Sequence, residues 1–143
     1  MIKRLIEKYK IQLALCGMII LIALAACSTN MAIGETFQQS VDQYNKLLSE
    51  QEFDTARLFA SETLAEEFRV RAKAAKNIKV IDYHIVKARY EESKGVAEVE
   101  VEIEYYSLSS YRAKTLIDVQ KWAYVIDKGT SQWKLMSLLP EFP

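Results

Sequence analysis

The chain has 143 residues and a formal net charge of zero, enough length for one domain with a real core. Its charge is uneven: residues 1–26 hold four cations and one acid, and the remaining 117 hold 15 Lys and Arg against 18 Asp and Glu, net −3. A mildly acidic domain excludes the electrostatic footprint of a nucleic-acid binder and offers no basic face to anionic lipid headgroups. Both cysteines, Cys16 and Cys27, lie near the front, so the domain proper has no disulfide, no cysteine nucleophile and no cysteine metal site.

The front of the chain has a basic start, Lys3, Arg4, Lys8 and Lys10, then an apolar run from Leu13 to Ala26, then polar Ser28-Thr29-Asn30. This is the layout of a secretory signal, and the run is shorter than the ~20 apolar residues of a stable spanning helix. It ends on Leu24-Ala25-Ala26-Cys27, which resembles the lipobox of bacterial lipoproteins. The resemblance implies a diacylglycerol on Cys27, cleavage before it, and signal recognition through Leu24, Ala25 and Ala26. Two or three acyl chains, at ~0.8 kcal/mol per buried methylene, anchor stably. In many Gram-negative bacteria an aspartate after the cysteine retains such a protein at the inner membrane. Ser28 stands there instead, so the expected address is the cell envelope, on the periplasmic face of the outer membrane where the cell has two membranes. The expected organisation is a cleaved leader over 1–26, a short lipidated linker over 27–34 and one domain over 35–143.

From Glu35 the pattern turns helical. Phe37, Val41, Tyr44 and Leu48 recur at spacings of four, three and four, one face of a helix. Asp54 is expected to cap a second helix, with Phe53 and Leu58 as a hydrophobic staple around it. A third helix is expected from Ser61 to Ala75, with Leu64, Phe68, Ala72 and Ala75 as its apolar stripe and Thr63 with Glu66 as a capping box. Asn77 ends it.

The period then changes to two. Ile78–Tyr90 reads as a long strand. Ile81, Tyr83 and Ile85 lie on one face and Val86, Ala88 and Tyr90 on the other, which requires a bulge or bend. Val96–Tyr106 alternates cleanly, with Ala97, Val99, Val101, Ile103 and Tyr105 inward and Glu98, Glu100, Glu102 and Glu104 outward. The glutamate row is expected to be a solvated sheet face with Lys87, Arg89 and Lys114 across the ladder. A third strand is expected over Arg112–Ile126, apolar enough on both faces for both to be covered. After a tight turn at Asp127-Lys128-Gly129-Thr130, a last strand runs from Trp133 to Leu139.

Helices followed by a four-strand antiparallel meander make an α+β fold. The amino-terminal helices, the long bent strands and the closing Gln132-Trp133-Lys134-Leu135 together resemble the nuclear transport factor 2-like (cystatin-like, cone-shaped) superfamily. That resemblance, over about residues 35–140, implies helices packed on a curved four-stranded sheet with a pocket at the wide end. It implies little about function, because the family spans isomerases, dehydratases and dimerisation modules.

Alternation places Asp82 and His84 on the interior side, unless the bulge falls between His84 and Val86. An acid–base pair in a dry cavity suits proton transfer, so these two are the candidate catalytic residues of an isomerase-like, dehydratase-like or hydrolytic enzyme. No phosphate loop, nucleophile elbow or metal spacing accompanies them, so no metal and no cofactor is expected. The favoured expectation is instead a non-catalytic, membrane-anchored domain that binds a partner protein or a small apolar ligand. Tyr83, Tyr105, Trp122 and Tyr124 are the candidate interface or pocket residues, and an envelope protein or a second copy is the candidate partner.

Overall fold

The computed structural model describes Gly34, residues 36–127 and residues 129–143. Leu24, Ala25, Ala26 and Cys27 lie outside the described residues, as does Lys128. Residues 36–49 form α1, whose four spaced apolar side chains, Phe37, Val41, Tyr44 and Leu48, are all buried. Gln51, at φ 63°, turns the chain into α2, Phe53–Ala56. This helix starts one residue before the expected cap. Asp54 lies inside the first turn and makes no side-chain capping bond, although its charge still suits the helix N-terminus. The staple does not close, because Phe53 is buried while Leu58 is 62% exposed.

The third helical stretch comes in pieces: a 3-10 turn over Glu62–Leu64, α3 over Ala65–Ala74 and a 3-10 turn over Ala75–Asn77. The capping box is absent, since Thr63 Oγ1 bonds Ser61 Oγ and Glu66 holds Arg69. The apolar stripe does form, with Phe68, Ala72 and Ala75 buried and Leu64 half-buried.

Four strands follow as an open antiparallel meander in the order β1-β2-β3-β4: β1 Ile78–Glu91, β2 Val96–Ser107, β3 Lys114–Asp127 and β4 Thr130–Leu135. The chain is therefore α+β, with helices followed by a four-strand sheet that is not closed. Gly95, left-handed at φ 59°, closes the β1–β2 connection, a conformation that costs glycine little. Trp133 and Leu135 stand in β4 as expected, but the strand ends there, and residues 136–143 run on without regular structure.

One face of the sheet receives the helices. Phe37 meets Trp133 at 4.8 Å and Tyr44 meets Trp122 edge-on at 5.7 Å. Ala97, Val99, Val101, Ile103 and Tyr105 of β2 all point into this layer and are buried. The other face is open, and here the expectation of two covered faces fails. Ile117 is 52% exposed and Val119 44%. The glutamate row stands on this open face, opposite Arg89, Lys87, His84 and Asp82 of β1. Arg89 reaches Glu98 and Glu100 at 4.0 and 3.8 Å. Lys114 does not join this ladder. It is paired with Tyr105, and its ammonium donates to Pro143 O at 2.6 Å. Lys121, paired with Glu98, takes the place expected for it. Among the described residues no helix is long and apolar enough to cross a membrane.

Candidate functional site

The register of β1 decides where its chemistry points. Two shifts interrupt its pairing with β2, one between Val80 and Asp82 and one between Ile85 and Lys87. Each bulge admits an extra residue and moves the following side chains to the opposite face. Ala88 and Tyr90 pair with Val99 and Ala97 on the inner side, as expected. Asp82 and His84 instead pair with Glu104 and Glu102, on the open outer face. The second bulge falls just past His84, so the interior placement of the two is corrected. Their side chains approach at 3.4 Å, and both are more than half exposed. They form a surface pair, with no wall around them to exclude water.

The four aromatic candidates divide. Tyr105 and Trp122 are core residues, each 1% exposed. Tyr105 donates its hydroxyl to Pro143 O at 2.9 Å and packs edge-on against Phe142 at 5.0 Å. Tyr83 and Tyr124 are half-buried. Burial raises the Tyr83 hydroxyl above its ordinary range, and the charges of Asp42 and Asp82 raise it further. Tyr124 tilts against Trp133 at 5.4 Å. The aromatic side chains are thus largely absorbed by one cluster, in which Phe37 contacts Tyr90, Trp122 and Trp133.

The most chemically unusual site lies between α1 and β3, in the middle of the covered face. Asp118, Gln120 and Asn45 are buried, at 5%, 0% and 1% exposure. Asn45 and Gln120 clasp one another: Gln120 Nε2 donates to Asn45 Oδ1 at 2.8 Å, and Asn45 Nδ2 donates to Gln120 Oε1 at 3.3 Å. Asn45 Nδ2 also donates to Val41 O at 2.9 Å, which holds the amide in its rotamer. Gln120 Nε2 donates to Asp118 Oδ2 at 2.9 Å, and Trp122 Nε1 donates to Gln120 Oε1 at 3.4 Å. Tyr44 Oη is buried beside this chain with no hydrogen-bond partner among the described residues. Burial pushes its hydroxyl well up, and the Asp118 charge adds to the effect. Burial raises the Asp118 carboxyl to about 6, against a smaller lowering by the Gln120 amide.

A carboxyl that titrates near 6 suits acid–base work if substrate reaches it. None of the three surface grooves described is lined by Asp118, Gln120, Asn45 or Tyr44. The cluster joins α1 to β3, so its immediate role is to fix the helix on the sheet. The sequence of β3 carries one sign of this cluster. Asp118 and Gln120 occupy the same alternating row as Leu116 and Trp122, so two polar residues interrupt a core-facing line. Among the described residues no group of three or more His, Cys, Asp or Glu could hold a metal ion.

No protein-family model matches the chain, and no curated protein matches it.

Proposed function

We propose that this chain is a non-catalytic binding protein of the cell envelope, tethered by lipid on Cys27, which engages a partner protein through the open face of its sheet. The observation that carries the reading is the exposed apolar row of β3, Ile117 and Val119, beside the Glu98–Glu104 row of β2. An apolar strip with a charged rim is the common anatomy of a protein interface. The Leu24-Ala25-Ala26-Cys27 stretch supports the tether. A nuclear transport factor 2-like fold is the finer reading of the architecture. It is supported by the amino-terminal helices, the twice-bulged long strand and Trp133 in the last strand.

A small apolar ligand has less support than a partner protein, because Tyr44, Phe68, Tyr105 and Trp122 fill the covered side. Catalysis at Asp82 and His84 also has less support, because both stand in solvent. The test is site-specific photo-crosslinking of the full chain in its own cells. A crosslinker at Ile117 or Val119 is expected to give one discrete adduct, whose mass identifies a second copy or another protein. A crosslinker at Leu58, exposed in the 3-10 turn Arg57–Phe59, gives none. No adduct from either sheet position overturns the proposal.

A further inference from the structure

From Arg69 to Ile81 the sequence carries five cations and no acid, within a domain that is acidic as a whole. Net charge averages over this segregation. Two of the five are engaged by partners, Arg71 at the carboxyl-terminal segment and Lys79 at the edge of the groove that the others line. Arg71 donates to Leu139 O at 2.9 Å and lies 3.3 Å from Glu141, and the Lys79 ammonium meets Gln51 Oε1. The other three, Arg69, Lys73 and Lys76, follow at intervals of four and three, on one face of α3 and its closing turn. They line one groove of about 630 Å³ together with Gln51, with Phe53 and Ala72 as apolar surface and Asp54 as the acid among the described lining residues.

Arg69 is held by Glu66 at 2.5 Å. Lys73 and Lys76 make no ion pair or hydrogen bond among the described residues. The carboxyl end of α3 favours cations in its last turn. That accounts for a lysine in the last turn but not for three cations lining one concavity, where like charges a turn apart repel.

We propose that this groove binds an acidic, extended peptide segment of a partner protein. Four helical residues place Arg69 and Lys73 ~6 Å apart along the axis, and alternate side chains of an extended strand stand ~6.6 Å apart. A segment with acids at every second residue therefore matches the cation spacing, and its backbone lies along the Phe53–Ala72 floor. A membrane fits less well, because the cations line a concavity that a flat bilayer surface does not enter.

The test is fluorescence anisotropy with the full chain in detergent and a labelled peptide of alternating Glu and Gly. Its neutral Gln–Gly counterpart, inorganic phosphate and vesicles of anionic lipid serve as comparison probes. Wild type is expected to bind the Glu peptide, to lose it as salt rises, and to ignore the Gln peptide. The double variant Lys73→Gln/Lys76→Gln weakens binding at least ~10-fold with an unchanged thermal midpoint, since both side chains are exposed. Lys94→Gln, in the β1–β2 turn, binds as wild type does. Equal binding by the double variant, or no binding by wild type, overturns the proposal. So does a response confined to phosphate or to the vesicles, which would assign the groove to a small anion or a lipid surface.

Discussion

Asp118 carries the least comfortable charge among the described residues. Its carboxylate is 5% exposed and receives a hydrogen bond from Gln120 alone, which does not replace the water it has lost. The group's ordinary value is 3.8 and burial lifts it to about 6, so the folded chain holds this proton more tightly than the unfolded chain does. As pH rises from about 4, the unfolded chain loses the proton first, so stability falls until the folded group has also titrated, near pH 6, and is flat beyond. The displacement corresponds to on the order of 2–3 kcal/mol. Asp118→Asn keeps an acceptor for Gln120 and removes the charge. In urea denaturation at pH 4, 5, 6 and 7.5, the variant is expected to gain on wild type steadily between pH 4 and 6 and to be the more stable protein at pH 7.5. Glu66, held below its ordinary range by Arg69, works in the opposite direction but equally in both proteins, so the difference isolates Asp118. A variant that tracks wild type across the window would show that this carboxylate is solvated after all.

At the scale of elements, β1 shows what could and could not be read. A bulge was legible because Ile81, Tyr83 and Ile85 run on one parity and Val86, Ala88 and Tyr90 on the other. The presence of a second bulge was not, since residues of both parities are apolar around Val80 and Ile81, and one extra residue there leaves no mark in composition. It is the other bulge, at Val86, whose exact place the spacing leaves open, that turns Asp82 and His84 to the outer face. The helices were legible from spacing, and β2 from its alternation. The caps were not, because a capping box is a choice between local hydrogen bonds that Arg69 and Ser61 took over. The bulges lead to an asymmetric expectation. Val86 is the extra residue and is 59% exposed. Deleting it leaves Ile85 inward and Lys87 outward in regular alternation, so the variant should fold with a loss of about 1–2 kcal/mol, or ~5–10 °C in thermal midpoint. Deleting Glu100 from β2 reverses every side chain on one side of the gap, turning Ala97 and Val99 to solvent, and should abolish cooperative unfolding. Equal damage from the two deletions would mean that Val86 is built into the sheet rather than inserted in it.

For the whole molecule, the decisive question is where the domain is held, because an open sheet face and a basic groove have value only next to a partner. The proposed lipid tether would confine the chain to one surface and raise the effective concentration of any partner on it, to the order of millimolar for short flexible links. Weak contacts such as the Ile117–Val119 strip would then suffice without a large buried area. The proposed tether would be made at Cys27. Wild type grown with labelled palmitate is expected to carry the label, to lack the 26 residues before Cys27, and to sediment with membranes. Cys27→Ser offers a hydroxyl where the acyl transfer requires a thiol, so it should carry no label and keep its leader. The photo-crosslinked adduct through Ile117 should fall with it, even though that face is untouched. If Cys27→Ser is labelled and cut like wild type, the lipoprotein reading fails. If it is unlabelled yet crosslinks undiminished, the tether stands but the partner does not depend on it.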